Sequence, residues 1–189
     1  MSALAMARSE GTTAQAADNT RWLRGLLLAQ RQGRTCLPPS LGLDADTFAR
    51  LRERVCPDAS QLPSPPVPDG DRLREELLAL RRDEWQELRG LLLAGRAGRD
   101  GDEALLASVV AAGCLGGDHL WRDLGLASRL ELHELLSHNF PGLASRNTAN
   151  MRWKKFFYKQ LCEQDGGYVC RSPSCEQCPT YHDCFGEES

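Results

Sequence analysis

The sequence lacks three features that would place it at once in a common class of protein. It has no apolar run long enough to cross a membrane, because the longest, Leu105–Leu115, is short and ends at two glycines. Its first 17 residues carry Glu10 and no apolar core of the length that a secretory signal requires. Its net charge is only -3 over 189 residues, so charge does not favour nucleic acid or an anionic membrane as a partner. We therefore expect a cytoplasmic protein that binds neither.

A β-strand pattern is also missing, since alternation of apolar and polar residues never extends beyond four residues. Apolar residues recur instead at helical spacing almost everywhere before residue 164. Helices are predicted from residue 18 or 19, from Asp44, over about 71–96, over 102–114, from a capping box at Ser128 and Glu131, and over about 148–163. The pattern predicts an all-α fold, a helical bundle with an irregular C-terminal cysteine-rich loop that binds a metal cluster.

The composition divides the chain into three parts. Residues 1–17, rich in Ala, Ser and Thr, are predicted to be a disordered tail. Residues 18–163 form the helical domain and include a loop at 61–70, whose four prolines indicate an extended spacer. Residues 164–189 are predicted to be the cysteine-rich cluster-binding loop and tail.

Two of the predicted helices carry clear apolar stripes that we expect to face the core. The helix over 71–96 places five leucines on one face: Leu73, Leu77, Leu80, Leu88 and Leu91. The last helix has a mainly aromatic stripe made of Trp153, Phe156, Phe157 and Leu161. At 100° per residue, Arg152, Lys155 and Lys159 occupy its opposite side.

Eight cysteines are spread unevenly along the chain. Cys36, Cys56 and Cys114 are isolated, and we predict that they are small buried residues and not ligands. The other five lie between residues 162 and 184. Exported disulfide proteins normally spread their cysteines to join distant segments, so this terminal cluster favours a metal site in a reducing compartment.

Four of the clustered cysteines form the pattern C-x4-C-x2-C-x5-C: Cys170, Cys175, Cys178 and Cys184. We call these four residues the cysteine box. Thiolates held this close repel one another unless a cation lies among them, which makes a metal site the specific prediction. Zinc accepts four thiolates, but its common sites pair two C-x2-C units across a longer loop. Iron–sulfur clusters accept wider gaps, because the ligands bind different irons. The spacing alone leaves both metals open.

The cysteine box and the segments before it resemble the NifQ family of nitrogen-fixation proteins. Three further blocks look like that family's in the same order: GCLGGDHLWRDLGL (113–126), RLELHELLSHNFPGLASRN (129–147) and MRWKKFFYKQLC (151–162). The resemblance covers about residues 105–186, and the first hundred residues are recognisable only as helical.

This resemblance implies a carrier and not an enzyme. It implies that Cys170, Cys175, Cys178 and Cys184 hold an iron–sulfur or molybdenum–iron–sulfur cluster. The chain would then donate molybdenum for assembly of the iron–molybdenum cofactor of nitrogenase. The partners it implies are the nitrogenase iron protein and the cofactor scaffold complex. Neither composition nor spacing indicates molybdenum by itself.

Several residues outside the box are candidate neighbours or ligands of the cluster. Cys162, His119 and His182 are candidate molybdenum ligands, while a surface or capping role is the ordinary expectation for each histidine, His133 and His138 included. Arg152, Lys154, Lys155 and Lys159 lie just upstream and would bring positive charge to an anionic cluster. We expect Lys155, Lys159 and Cys162 to form the rim of the cluster site.

Two other functions fit part of the sequence. FPGLASRNTAN (140–150) resembles the hairpin of helix-hairpin-helix DNA glycosylases, some of which also end in a cysteine box, so an iron–sulfur enzyme of that kind is one alternative. Against it, Ala144 stands where the hairpin needs a second glycine, and the chain is slightly acidic where a DNA-binding domain is expected to be basic. The other alternative is a zinc-stapled helical interaction module.

Overall fold

The computed structural model describes residues 19–58 and 68–164, together with His182 and Phe185. Every regular element in these residues is a helix, which confirms the predicted all-α class for this part of the chain. The helices are α1 (19–31), α2 (Ala45–Val55), α3 (Pro68–Leu80), α4 (Arg82–Ala94), α5 (Asp102–Cys114), α6 (Leu120–Asp123), α7 (Arg129–Asn139), α8 (Pro141–Ala144) and α9 (Trp153–Gln164). The predicted tail at 1–17 and most of the predicted cluster loop lie outside the described residues.

Helix α5 forms the centre of the bundle, as its uniformly apolar sequence predicted. Eleven of its 13 residues are buried, and α4 packs along it. On another side, Gly113 allows the end of α6 to approach α5 closely, because a Cβ added there would lie 2.7 Å from the side chain of Leu124. Although α5 is apolar all round, neither it nor any other described helix is long and apolar enough to span a bilayer.

Side-chain caps begin two of the predicted helices. The Asp44 carboxylate accepts from Thr47 N at 2.9 Å and begins α2. Ser128 Oγ accepts from Glu131 N at 3.2 Å and begins α7. Glu131 reaches back, as in a capping box, but its Oε2 accepts from Ala127 N, one residue before the cap.

The single long helix predicted over 71–96 is wrong, because a turn at Arg81 divides it into α3 and α4. The Arg81 guanidinium donates to Leu115 O at 2.8 Å, which holds this turn against the end of α5. The predicted leucine stripe is divided too. Its last two members are buried in α4: Leu88 and Leu91. Leu73, Leu77 and Leu80 in α3 are 66%, 39% and 84% exposed, and Leu78 packs on the core in their place.

The proline-rich loop predicted over 61–70 ends earlier than expected, because α3 begins at Pro68. Pro68–Gly70 form the first turn of α3, and residues 59–67 lie outside the described part. Proline suits a first helical turn, where its missing N–H would have no partner within the helix.

The last helix begins at Trp153, five residues later than predicted. The side-chain amide of Asn147 closes a local turn instead, since it accepts from Met151 N and donates to Met151 O, each at 2.8 Å. Asn150 lies within this turn and has a φ of 52°, a left-handed conformation that does not fit within an α-helix. Arg129 fixes the segment by donating to Asn150 O at 2.9 Å.

Candidate metal site and the helix that precedes it

The cysteine box itself lies outside the described residues, so the predicted ligands Cys170, Cys175, Cys178 and Cys184 remain a prediction from sequence. Within the described part of the chain, no three or more His, Cys, Asp or Glu side chains are grouped so that they could hold a metal ion. His182, inside the box, is helical and exposed. The structural evidence on the site therefore comes from α9, which ends six residues before the first cysteine of the box.

Helix α9 has the two faces that its periodicity predicted. Its aromatic stripe is buried: Trp153, Phe156 and Phe157. Leu161, at the end of this stripe, is only partly buried and packs at the edge of the core. On the other side Lys155 and Cys162 are exposed, and Lys159 lies 3.8 Å from Glu163 in a partly exposed pair. The predicted rim of Lys155, Lys159 and Cys162 thus shares one accessible face.

Lys154 does not belong to that face, although the sequence grouped it with the other cations. Its ammonium group pairs with the carboxylate of Asp123 at the end of α6, and only 17% and 8% of the two side chains are exposed. Lys154 Nζ also donates to Gly116 O at 2.8 Å. Since a buried charge is costly without a partner, this pair fixes α9 to the segment before α6.

The Asp123 carboxylate also organises the glycine-rich turn between α5 and α6. Its Oδ2 accepts from Asp118 N at 3.0 Å. A Cβ added at Gly116 would lie 2.4 Å from the Asp123 carboxyl carbon, so only glycine leaves room for this carboxylate. Part of the block GCLGGDHLWRDLGL therefore has a structural explanation, because Gly116 and Asp123 form the site that binds the Lys154 ammonium group.

A second polar network fixes the middle of α9. Tyr158 donates to Glu84 of α4, and Arg81 donates to both oxygens of that carboxylate, each at 2.6 Å. The hydrogen bonds from Arg81 hold the pKa of Glu84 below its usual range. Burial, followed by the hydrogen bond to Glu84, raises the pKa of Tyr158. Both groups therefore keep the protonation states that this network needs at neutral pH.

The three isolated cysteines lie within the bundle. Cys56 and Cys114 are buried, as predicted, and Cys36 is partly buried, with its Sγ 3.7 Å from Gly113 O. Burial raises the pKa of Cys36 and of Cys114 to about 12. A thiol that stays protonated is a poor metal ligand. Cys162 differs from all three, since it is exposed.

The described histidines outside the box lie apart from one another. The His138 ring stacks edge-on against Trp22 at 5.4 Å, and the His133 ring lies 5.9 Å from Trp153. His119 is the residue before α6 and ends the glycine-rich turn. His133 is exposed, whereas His119 and His138 are partly buried, and the His119 side chain makes no capping hydrogen bond to α6.

Sequence reasoning missed four residues that fix α9: Arg81, Glu84, Asp123 and Tyr158. One signal was present for Asp123, which stands among apolar residues in HLWRDLGL and would need a partner if buried. The identity of that partner could not be inferred, because 31 residues separate it from Lys154.

The family model described as NifQ matches residues 22–186 of the chain, a range that includes α9 and all four cysteines of the box. The chain belongs to the NifQ family. The match begins at residue 22, so it also covers residues 22–104, which the sequence alone made recognisable only as helical.

Curated NifQ proteins are similar over most of the chain. Protein NifQ of Azotobacter vinelandii is 58% identical over 190 residues, covering 96% of this chain and 97% of that protein. Protein NifQ of Klebsiella pneumoniae is 42% identical over 170 residues, covering 87% of this chain and 96% of that protein. Protein NifQ of Rhodobacter capsulatus is 38% identical over 170 residues, or 87% and 88% of the two chains. No solved structure matches the chain. Membership in the NifQ family assigns the chain to nitrogen fixation.

Proposed function

We propose that this chain carries a molybdenum–iron–sulfur cluster and donates its molybdenum for assembly of the iron–molybdenum cofactor of nitrogenase. The cluster is cargo, held by Cys170, Cys175, Cys178 and Cys184. The observation that carries the proposal is the NifQ match, which spans the whole cysteine box. In this reading the chain is a carrier and not an enzyme, and its recipients are the nitrogenase iron protein and the cofactor scaffold complex.

The environment of α9 supports this proposal. The buried stripe and two polar networks hold the helix firmly, while its accessible face carries Lys155, Lys159 and an exposed thiol at Cys162. A cluster with four thiolates is anionic, so positive charge on the approach to the box stabilises it. The same charge would favour an acidic partner during transfer.

The described structure counts against one of the two alternatives, the DNA glycosylase. A DNA glycosylase of the helix-hairpin-helix type would need a hairpin at 140–150, where the structure has the four-residue α8 followed by the turn closed by Asn147. A zinc-stapled interaction module shares the cysteine box, and only the metal content distinguishes it.

Cysteine replacements test the proposal. We expect alanine at any one of the four box positions to abolish stable cluster binding, measured as iron per chain under anaerobic conditions. The helical circular dichroism should be retained, because the box lies outside the helices that build the core. Cys36→Ser is the matched control, since it changes a thiol within the bundle and should leave the iron content unchanged. Unfolding of the helices by a single box replacement would make the cluster a structural staple and would contradict the cargo role.

A further inference from the structure

An open cleft of about 570 Å³ lies between α1 and the segment that leads from α6 into α7. Its α1 side carries Arg21, Trp22 and Gly25, together with Arg34 from the loop that follows α1. Its other side consists of residues 125–127 and the first two turns of α7. A volume of this size lies in the range of protein ligand sites.

The two sides of the cleft carry opposite charge. Arg21 and Arg34 are exposed on the α1 side. Glu131 and Glu134 lie on the other side, about one helical turn apart on α7. Among the residues that the structure describes, no ion pair joins the two sides. The cleft therefore presents a cationic wall and an anionic wall to whatever enters it.

The contacts that these charged groups already make leave much of their charge available. The Arg21 guanidinium lies 5.5 Å from the centroid of the Trp22 ring, a contact that does not neutralise it. Arg34 uses only its Nε, which donates to Gln32 Oε1 at 2.8 Å. Glu134 is exposed and has no hydrogen bond or ion pair within the described part of the chain.

The shape of the cleft is fixed by local contacts. Glu131 Oε2 accepts from Ala127 N at 2.7 Å, which joins the 125–127 segment to α7. Gly125 has a φ of 72°, and a Cβ added there would lie 2.6 Å from Ala29 and 2.8 Å from Thr35. The same segment is thus packed tightly on the end of α1. The two charged walls are held in place before a partner arrives.

Gly25 keeps the α1 side of the cleft open. It follows Arg21 by four residues and Trp22 by three, so the three residues share one face of the helix. A Cβ added at Gly25 would meet nothing within 4 Å in the described structure. Packing among the described residues therefore does not require this glycine, although glycine inside a helix lowers stability relative to alanine.

We propose that this cleft binds a segment of a partner protein in which an acidic and a basic side chain flank an apolar one. The acidic side chain would pair with Arg21 or Arg34, and the basic one with Glu134. The apolar side chain would cover Leu130, which lies one turn before Glu134 on the same face of α7 and is 65% exposed. Gly25 would allow the backbone of the segment to approach α1 closely.

The exposure of the charges favours a chain segment over a free amino acid. One exposed ion pair changes a binding constant by about fivefold or less, so two of them hold a small zwitterion only weakly. A chain segment adds apolar contact at Leu130 and backbone contact beside Gly25. The inference uses residues of α1, the loop after it and α7, and it does not depend on the proposed function.

The test is an NMR titration of the ¹⁵N-labelled full chain with synthetic peptides that are blocked at both ends. The mixed-charge probes are Glu-Ala-Leu-Ala-Lys and Ala-Glu-Leu-Lys-Ala, each also in reverse order. The like-charge probes have the same sequences with two glutamates or two lysines. We expect at least one mixed-charge peptide to give saturable amide shifts at Gly25, Gly125 and Ala127. The like-charge peptides should bind about fivefold more weakly, because each loses one ion pair.

Charge variants test the cationic wall. Arg21→Gln with Arg34→Gln should weaken binding of the mixed-charge peptide about fivefold. The control pair, Arg50→Gln with Arg72→Gln, removes the same charge from exposed positions outside the cleft lining. It should change the affinity by less than about twofold at the same ionic strength.

A steric variant tests the cleft without changing its charge. Gly25→Gln should place a side chain in the cleft and weaken peptide binding, while the melting temperature stays equal or rises, since glutamine is the better helix former. Gly90→Gln is the matched control. Gly90 is an exposed glycine within α4 where an added Cβ also meets nothing within 4 Å. Its replacement should leave peptide binding unchanged.

The outcomes that would overturn the proposal are distinct. Absence of saturable shifts with every mixed-charge peptide would do so, as would equal binding of the like-charge peptides or unchanged binding in Gly25→Gln. Binding of free lysine or free glutamate as tight as that of the peptides would make the cleft a small-molecule site. Tighter binding of a synthetic peptide of residues 1–17 would assign the cleft to this chain and not to a partner.

Discussion

Helices α3 and α9 are almost the same length, at 13 and 12 residues, and both carry apolar residues at helical spacing. The stripe of α9 is buried, with Trp153 and Phe157 at 3% and 1% exposure, while Leu73 and Leu80 of α3 are 66% and 84% exposed. The two helices also differ in the polar contacts that join them to the rest of the chain. α9 is fixed by Lys154 to Asp123 and by Tyr158 to Glu84. α3 has Arg74 paired with Asp71 inside the same helix, and Asp71 also accepts a long hydrogen bond of 3.5 Å from Gln30 of α1.

Apolar spacing marks an apolar face in both helices, but the buried face belongs to the helix that also has an ion pair and a hydrogen bond to a carboxylate on distant residues. In the proposed function, these anchors hold the accessible face of α9 in one orientation, and α9 ends six residues before the first cysteine of the box. In α3 the exposed leucines make an apolar face on the described surface. Substitutions that act on the two helices should therefore differ widely in effect.

The largest effect is expected for the aromatic stripe of α9. Phe157→Ala should lower the free energy of unfolding by about 3–5 kcal/mol, because it leaves a cavity in a packed core. Leu80→Ala in α3 is the matched substitution and should change it by less than about 0.5 kcal/mol. Urea unfolding followed by circular dichroism measures both. A similar cost for the two would mean that the α3 face is covered in solution.

The next effect concerns the ion pair that anchors α9. Asp123→Asn leaves the Lys154 ammonium group without its countercharge, and we expect a loss of about 3 kcal/mol. Adding Lys154→Met should recover part of that loss, since the uncompensated charge is then removed. The double-mutant cycle is completed with Lys154→Met alone. Independent, additive effects of the two changes would show that the pair does not anchor the helix.

A smaller effect depends on pH. Burial raises the pKa of Cys36 and Cys114 from 9.0 to about 12, so between these values the unfolded chain binds fewer protons than the folded one. The stability contributed by each thiol is complete below pH 9 and is lost as the pH rises toward 12. We expect each thiol to lower the stability by about 1 kcal/mol between pH 8 and pH 10.

Urea unfolding at a series of pH values, under reducing conditions, measures this alkaline slope. Cys36→Ser should reduce it, because a hydroxyl group does not ionise in this range. An unchanged slope in that variant would place the alkaline sensitivity elsewhere in the chain.

The smallest effect on stability is expected for the accessible face of α9. Lys155→Glu with Lys159→Glu should change the free energy of unfolding by about 0–1 kcal/mol, as exposed charges contribute little. The same pair should slow molybdenum transfer to the acceptor, with a strong dependence on salt. An unaffected transfer rate and salt dependence would place the donor surface elsewhere.

Cys162 sharpens the same test. Cys162→Ser should lower molybdenum retention more than iron retention if the thiol is an exchangeable ligand. Because the side chain is exposed, the change should not alter folding. Equal retention of both metals would remove Cys162 from the list of candidate ligands.

Most of the fold could be predicted because its signals are local. The apolar spacing of α1, the caps at Asp44 and Ser128, and the uniformly apolar α5 lie within single segments. The break at Arg81 could not be predicted, because it depends on a hydrogen bond to Leu115 O, 34 residues away. The late start of α9 depends in part on Arg129, 21 residues before Asn150.

The candidate site divides in the same way. The spacing of the cysteine box is sufficient to predict a set of metal ligands. The helical periodicity of α9 correctly predicted that Lys155 and Cys162 are exposed. The angular positions of the residues around α9 could not predict the role of Lys154, because its partner Asp123 belongs to a different helix. Molybdenum could be inferred only from the resemblance to a family, because four thiolates can bind several different metals.

The proposed cluster is tested most directly by the amounts of iron, acid-labile sulfide, molybdenum and zinc per chain in an anaerobic preparation. We expect a brown, oxygen-sensitive protein with iron and sulfide in near-equal amounts, and molybdenum when the cells are supplied with it. Stoichiometric zinc without sulfide would contradict it and would make the cysteine box a structural zinc site.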